Sequence, residues 1–491
     1  MLINIYWLIP EVFLSLSLIF LLIFGVIYSK LNQQKSQYLK FIWLNNFILF
    51  ITAYLYVEQL SLTPNLQISF QFLNITPINL LIKIILCLST LIILSLSKQT
   101  FQDKQIQNFE FFNLIVLALL GMLLMVSANN LIIFYLSIEL FSLSIYILAS
   151  INRQSEYSTE AGLKYFVLGS LSSGLLLFGC AIIYLFTGEL NFENISYLIW
   201  YTTNNFELVI GAMFIIIAIL FKLAAAPFHM WAPDVYEGSP TIITAFFAIV
   251  PKIATIGIFI NLIWFCFFGL FQKIQPIIII AAVLSLLIGS IGALNQAKIK
   301  RLIAYSAISH IGFILLGILP GTIYGLQATM IYIIIYIIMG IATFSFILMT
   351  FTKTNYLSEL SGLSRKNPIL AISFAIILFS IAGIPPLAGF FSKYLILLES
   401  LGNNYLTLAA IAVIASSIAA FYYIRIIKWM FFKDSTDYTI KDLGDIIKPQ
   451  IALPYHNSLI LGISLFFIIT LLLYPNFLIN IVFETLINSL L

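Results

Sequence analysis

Fourteen windows of about 20 mostly apolar residues follow one another along this chain, with short polar links between them. A helix of that length crosses the ~30 Å hydrocarbon layer of a bilayer. Inside that layer only a helix or a closed barrel satisfies its own backbone. The windows fall at 6–28, 41–57, 78–97, 111–128, 131–151, 163–187, 208–231, 241–267, 277–294, 302–319, 327–352, 369–398, 407–430 and 459–481. The chain therefore reads as an all-α polytopic membrane protein with about fourteen transmembrane helices. Composition excludes a soluble alternative, since only 9% of the residues are charged, against about 25% in ordinary globular chains. A net charge of +4 over 491 residues forms no basic footprint for nucleic acid. Cys87, Cys180 and Cys266 lie inside apolar runs at no metal-ligand spacing, so neither a disulfide framework nor a metal site is expected. The first window is of full length, without a basic leader or a cleavage site, and reads as a retained span.

The basic residues test the span count independently. With one crossing per window, loops alternate between two sides. Seventeen of the 23 Lys and Arg residues fall on one side, counting Arg425 and Lys428 at the end of span 13 with the loop that follows. The other side holds Lys273 alone, and Lys83, Lys164, Lys222, Lys252 and Lys393 lie within windows. That asymmetry is the positive-inside pattern, and it puts both termini on the positive-poor side. The polar connection from Lys433 to His456 reads as a solvated, near-neutral loop on the positive side, a place where a neighbour could dock.

The most costly residues carry the functional information. A charge at mid-bilayer costs about 2.5–3.5 kcal/mol on insertion scales. Glu139 lies about 13 Å into its window and Lys252 about 18 Å, at 1.5 Å per residue. With Lys222 and Lys393 they would cost roughly 10 kcal/mol if left alone, so they must pair or line a hydrated path. A purely structural Glu139–Lys222 pair is one alternative, and snorkelling to the interface is another for Lys83 and Lys164. Lysine suits proton transfer, because burial favours its neutral form and a nearby carboxylate its charged one. His310, near the centre of its window, could bridge two lysines or could pack as a hydrogen-bonded core residue. His229, after Pro227, has the position of a capping or packing group.

Two windows are interrupted, by Ala224-Ala-Ala-Pro227 and by Gly383-Ile-Pro-Pro-Leu-Ala-Gly389. Proline removes an internal hydrogen bond, so each helix must open there. Aligning the breaks matches Phe221, Ala224 and Pro227 with Phe379, Ala382 and Pro385. The breaks lie five spans apart, and an odd offset reverses orientation. This arrangement predicts an inverted repeat of two five-helix units, spans 4–8 and 9–13, with broken helices 7 and 12. The expected divisions are three N-terminal helices over 1–110, the first repeat over 111–267, the second over 268–432, and a polar loop with a last helix over 433–491.

Three segments of this chain resemble a known family. They are Lys222-Leu-Ala-Ala-Ala-Pro-Phe-His-Met-Trp-Ala-Pro-Asp-Val-Tyr-Glu-Gly-Ser-Pro-Thr241, Lys298-Ile-Lys-Arg-Leu-Ile-Ala-Tyr-Ser-Ala-Ile-Ser-His-Ile-Gly312 and Ala382-Gly-Ile-Pro-Pro-Leu-Ala-Gly-Phe-Phe-Ser-Lys393. They look like the signatures of the antiporter-like membrane subunits of respiratory complex I. The lysine on the twelfth helix is similar to one paralogue type, where another places a glutamate. The chain also ends without the long lateral helix of the largest paralogue. The resemblance implies that Glu139 is the fifth-helix glutamate paired with Lys222 of the seventh helix. It further implies that Lys252 is the central lysine of the eighth helix, His310 the central histidine, Lys393 the twelfth-helix lysine nearest the exit, and Lys164 a sixth-helix family lysine. Some animal members lack the first three helices, whereas all fourteen are expected here.

The resemblance implies a proton-translocating subunit with no redox centre, cofactor or metal of its own. Flavin, iron–sulfur clusters, NADH and ubiquinone would then belong to partner subunits, and bound lipids and paralogous membrane-arm subunits would surround the chain. A freestanding cation/proton antiporter, a membrane-bound hydrogenase subunit and a purely structural spacer are the rival readings. The wording Phe-His-Met-Trp-Ala-Pro-Asp, and richness in Ile, Phe, Tyr, Asn and Lys, point to the mitochondrial inner membrane. That places both termini in the intermembrane space, with a bacterial inner membrane or plastid thylakoid as alternatives. Impermeant labelling from the positive side should reach the segments Asn32–Gln37 and Asp434–Lys448, and labelling from the other side should reach both termini. Finding the two segments on opposite faces would refute the fourteen-span count.

Overall fold

The computed structural model describes residues 2–31, 36–62, 68–69, 72–98, 109–201, 206–350, 356–433 and 454–490. Most of the Lys433–His456 connection, and positions 32–35 of the first loop, lie outside the described residues. Nineteen α-helices occur among those that are described. In chain order they are α1 (Leu2–Leu31), α2 (Ser36–Leu62), α3 (Pro77–Leu96), α4 (Glu110–Val126), α5 (Leu131–Ala149), α6 (Glu156–Thr187) and α7 (Phe192–Tyr201). Next come α8 (Phe206–Leu223), α9 (Trp231–Gly238), α10 (Thr241–Asn261), α11 (Phe271–Leu294), α12 (Ile299–Ile318) and α13 (Ile323–Thr350). The last are α14 (Leu363–Lys366), α15 (Pro368–Ala382), α16 (Ala388–Gly402), α17 (Leu406–Phe432), α18 (Tyr455–Thr470) and α19 (Asn476–Leu490). Eleven helices are long and apolar enough to cross a membrane, and the shorter apolar helices α4, α15 and α18 take the remaining places. Every expected window is thus occupied.

Local chemistry sets many of the boundaries. Thr76 caps α3 by accepting from the Asn79 amide, and Pro77 takes the first helical position, where no amide is needed. Asn130 caps α5 and Asn367 caps α15 in the same way. Gly188, at φ +68°, ends α6. The helices differ greatly in enclosure: only a third of the apolar window of α1 is buried, whereas that of α10 is buried throughout. A membrane helix with no lipid-facing side sits at the centre of its bundle. Lys252 is on that helix.

Both interruptions are built alike. Each first half ends on a residue in the left-handed region, Ala224 (φ 59°) and Gly383 (φ 87°). The next amide closes the cap, from Ala225 to the Leu220 carbonyl and from Ile384 to that of Phe379. These bonds pair Leu220 with Phe379 and Ala224 with Gly383, one residue away from the register expected from sequence. The peptide bonds before Pro227 and Pro386 are cis. In both breaks a serine hydroxyl receives an amide that the helix has freed, Ser285 from Ala226 (2.9 Å) and Ser380 from Gly389 (3.1 Å). Freed backbone groups at membrane depth need such partners.

Four features depart from expectation. A short helix, α7, fills the link after span 6. The last window divides into α18 and α19, with Pro475 between them stopping propagation. Residues 262–266 form a π-helical turn at the end of α10. A hairpin of two-residue strands, Ile68–Ser69 against Asn74–Ile75, interrupts the all-α pattern.

The second break also sets a steric limit. A Cβ at Gly389 would lie 1.8 Å from the Ser380 carbonyl oxygen, whereas one at Gly174 would meet nothing within 4 Å. Gly389→Ala should therefore destabilise the fold by about 1–3 kcal/mol or more, and Gly174→Ala should be near neutral. Thermal melting of the purified membrane protein by intrinsic fluorescence would check the contrast.

Candidate proton-transfer site

The enclosed helix α10 presents Lys252 to α13 and α12. The Lys252 ammonium donates to the Tyr336 hydroxyl at 3.2 Å, and that hydroxyl donates to the Ala248 carbonyl at 3.1 Å. Tyr336 has therefore committed its own proton and meets the lysine as an acceptor. One turn earlier on α13, Tyr332 Oη lies 2.6 Å from His310 Nδ1. The His310 ring is 5.4 Å from the ring of Tyr336. Lys252, His310 and Tyr332 are buried and Tyr336 is half-buried, and together they form one polar cluster among largely apolar neighbours.

Lys393 adjoins this cluster across Phe313. Its ammonium lies 5.3 Å from the centre of the Phe313 ring, which stacks on Tyr332 at 6.1 Å. The ammonium donates to the carbonyls of Ile381 (3.0 Å) and Ala382 (2.8 Å), the last residues of α15. A helix C-terminus carries unpaired carbonyls and a partial negative charge, so it suits a cation without a carboxylate. The first break satisfies its carbonyl with a neutral group: Trp231 Nε1 donates to Phe221 O at 3.0 Å.

Lys222 and Glu139 form a separate group. Lys222, buried in α8, donates to the Tyr146 hydroxyl of α5 at 3.0 Å and lies 5.8 Å from the Phe141 ring centre. Glu139 is within coulombic reach of Lys222, yet the two make no ion-pair contact, and Glu139 Oε1 is buried without a hydrogen bond. The expected ion pair is not formed in this structure. Aromatic rings fill the way from there to Lys252: Tyr165 stands 4.8 Å from Tyr146 and 5.9 Å from Phe247. The Tyr236 ring lies 6.0 Å from the Lys252 ammonium.

The other candidates are placed elsewhere. Lys164 reaches out of α6 to Glu160 (2.7 Å) and Asp234 (2.9 Å), with its side chain 42% exposed. It belongs to a surface network in which Arg301 binds Asp234 and Glu237 at 3.1 Å and Lys298 binds Glu237 at 2.5 Å. The Glu237 carboxylate holds the Lys298 ammonium above its usual range. Lys300 is buried beside this network and donates to the Ser239 carbonyl at the end of α9. Together these contacts pin the second half of span 7 to α6 and α12. His229 is half-buried in the break between α8 and α9. Lys83 does not snorkel as one reading allowed; it is buried against Glu11 at 2.5 Å.

Sequence reasoning missed Tyr146, Tyr332 and Tyr336, the hydroxyl partners of the buried groups. A usable signal was present: Tyr332 and Tyr336 are one turn apart, and Tyr146 is seven residues beyond Glu139, so each pair shares a helix face.

Comparison with known proteins fits this geometry. The sequence family described as NADH:quinone oxidoreductase/Mrp antiporter, TM, matches residues 128–419. The chain is 41% identical to NADH-quinone oxidoreductase subunit N of Pelagibacter ubique, over 88% of this chain and 92% of that protein. It is 40% identical to NADH-ubiquinone oxidoreductase chain 2 of Marchantia polymorpha, over 95% of each. A chain of respiratory complex I from Thermus thermophilus superposes with a TM-score of 0.77 at 25% identity, covering 96% of this chain and 98% of that one.

The tyrosine contacts generate a direct test. Tyr336→Phe keeps the ring and removes the acceptor that faces Lys252. A hydrogen bond to a charged group contributes about 1.5–3 kcal/mol. The variant should therefore assemble normally on native gels while coupled proton transport falls about tenfold or more.

Proposed function

The chain belongs to the NADH:quinone oxidoreductase/Mrp antiporter family of membrane proteins, and from that membership and the buried cluster we propose how it works. It is a proton-translocating membrane-arm subunit of a respiratory NADH:quinone oxidoreductase. The observation that carries this reading is the Lys252–Tyr336 and His310–Tyr332 cluster on the enclosed helix α10 and its neighbours. Relatives that match nearly the whole chain bear oxidoreductase names, which favours this reading over a freestanding antiporter. Electron transfer, with NADH, flavin, iron–sulfur clusters and quinone, belongs to partner subunits. Paralogous and small membrane subunits flank the chain.

In this reading Glu139, Lys222, Lys252, His310 and Lys393 carry the proton. Lys222 rests on a neutral hydroxyl. Approach of Glu139 stabilises its ammonium, and withdrawal of Glu139 leaves a desolvated charge that gives up a proton. Lys252 and His310 form the central relay. Lys393, held by the open end of α15, is the terminal group on the release side. Lys164, joined to Asp234 at the positive face, is a peripheral member. The chain divides into three leading helices (1–110), two inverted five-helix units (111–267 and 268–432) and a C-terminal part (433–491). It resides in the mitochondrial inner membrane with both termini in the intermembrane space.

Purification from native membranes should show the chain co-migrating with flavin and iron–sulfur subunits. In the assembled complex, Lys222→Ala and Lys222→Arg should both impair pumping, because arginine keeps its proton under any plausible shift. Normal pumping with Lys222→Arg would argue for a structural lysine. Lys393→Ala should abolish coupled transport through this subunit, while Lys273→Ala, exposed at the start of α11, should not. Proton-to-electron ratios in reconstituted vesicles would separate these outcomes.

A further inference from the structure

One buried charge pair lies outside both the axis and the family-matched segment. Glu11 of α1 and Lys83 of α3 meet at 2.5 Å, with side chains 7% and 2% exposed. Tyr56 of α2 completes the group, its ring centre 5.3 Å from the ammonium and its hydroxyl fully buried. The three N-terminal helices are joined again by Gln59 of α2, which donates to the Tyr6 and Trp7 carbonyls of α1, and by the Thr52–Cys87 contact at 3.8 Å.

The partner type separates Lys83 from the axis lysines. Lys222, Lys252 and Lys393 are held by hydroxyl or carbonyl oxygens, so each can lose a proton without leaving a contacting carboxylate unpaired. Lys83 touches a sealed carboxylate. Deprotonation would strand that anion in a dry interior, where an uncompensated charge is strongly unfavourable.

The face of α3 that carries Lys83 also meets the Lys252 helix. Asn261 of α10 donates to Asn79 Oδ1 on α3 and to the Val126 carbonyl of α4, each at 2.8 Å. At Gly257, five residues beyond Lys252, a Cβ would lie 3.0 Å from Ile82 Cδ1 and 3.6 Å from Val126 Cγ2. Asn79, Ile82 and Lys83 sit within one turn of α3. We propose that Glu11 and Lys83 are a permanent ionic clasp that makes α1–α3 a single brace behind the Lys252 helix, and that Lys83 lies off the proton path. They are positioning residues, and their link to transport rests on the functional reading above.

The test uses the intact complex in its native membrane. Glu11→Gln and Lys83→Met each strand one buried charge and should cut the assembled complex about tenfold or more. The double variant strands none and should regain most of the assembly, with an unchanged proton-to-electron ratio. In the small assembled fraction of either single variant, the pH profile of transport should shift, and the double variant should restore it. A double variant that assembles but pumps fewer protons would make the pair a proton site and overturn the proposal. Single variants that assemble like the wild type would overturn the clasp. Reduced assembly with an unmoved pH profile would overturn the positioning of Lys252. Failure of the functional reading shows separately, as a wild-type complex that reduces quinone without moving protons, and the assembly measurements still decide the clasp.

Discussion

An ammonium in a bilayer interior has to be held by something, and the choice of holder governs much of this structure. Four kinds of partner occur. Glu11 gives Lys83 a full counter-charge. Tyr146 and Tyr336 give Lys222 and Lys252 a neutral oxygen. The end of α15 gives Lys393 two carbonyls and a helix dipole. At the surface, Lys164, Lys298 and Arg301 share Asp234, Glu237 and Glu160. A neutral holder leaves no contacting carboxylate unpaired if its lysine loses a proton. Full counter-charges fix one form, which suits a joint.

The broken helices follow from the same constraint. Opening α8–α9 and α15–α16 exposes carbonyls and amides where lipid-facing backbone would be prohibitive. The two breaks share one geometry but use it differently. In the first, Trp231 and Ser285 satisfy the freed groups, and Lys222 sits just before the opening. In the second, Ser380 takes the amide and Lys393 takes the carbonyls. One repeated backbone device thus yields a neutral junction in one half and a cation site in the other. Lys222 precedes the first break and Lys393 follows the second, so the two halves differ in where the charge sits.

The spans were legible because bilayer thickness imposes both a length and a composition on every crossing. The breaks were legible because each gathers proline with a run of alanine or glycine in one short stretch of an apolar window. Their register was not, since a left-handed alanine at 224 has no sequence signature and the cap is visible only in its hydrogen bonds. The axis lysines could be chosen by depth, and so could His310. Their tyrosine partners could not be chosen by composition, because 25 tyrosines are spread through the chain. Glu11 was overlooked near the start of its window, where a charge looks interfacial, so Lys83 had no visible partner. In each case the missing information was tertiary: which face of one helix meets which face of another.

The placement of these groups also bears on the proposed proton path. Between Lys252 and Lys393, hydrogen bonds join Lys252 to Tyr336 and His310 to Tyr332, and the Phe313 ring separates Tyr332 from the Lys393 ammonium. From Lys222 toward Lys252, ring contacts run from Tyr146 to Tyr165 and Phe247, and the Tyr236 ring stands beside Lys252. Glu139 stands on the Lys222 side of these rings, with an oxygen unsatisfied. A carboxylate within coulombic reach of a lysine but not in contact gains free energy by closing on it, and so provides a local driving force for rearrangement. In the proposed mechanism, motion of Glu139 toward Lys222 would change the charge beside these rings.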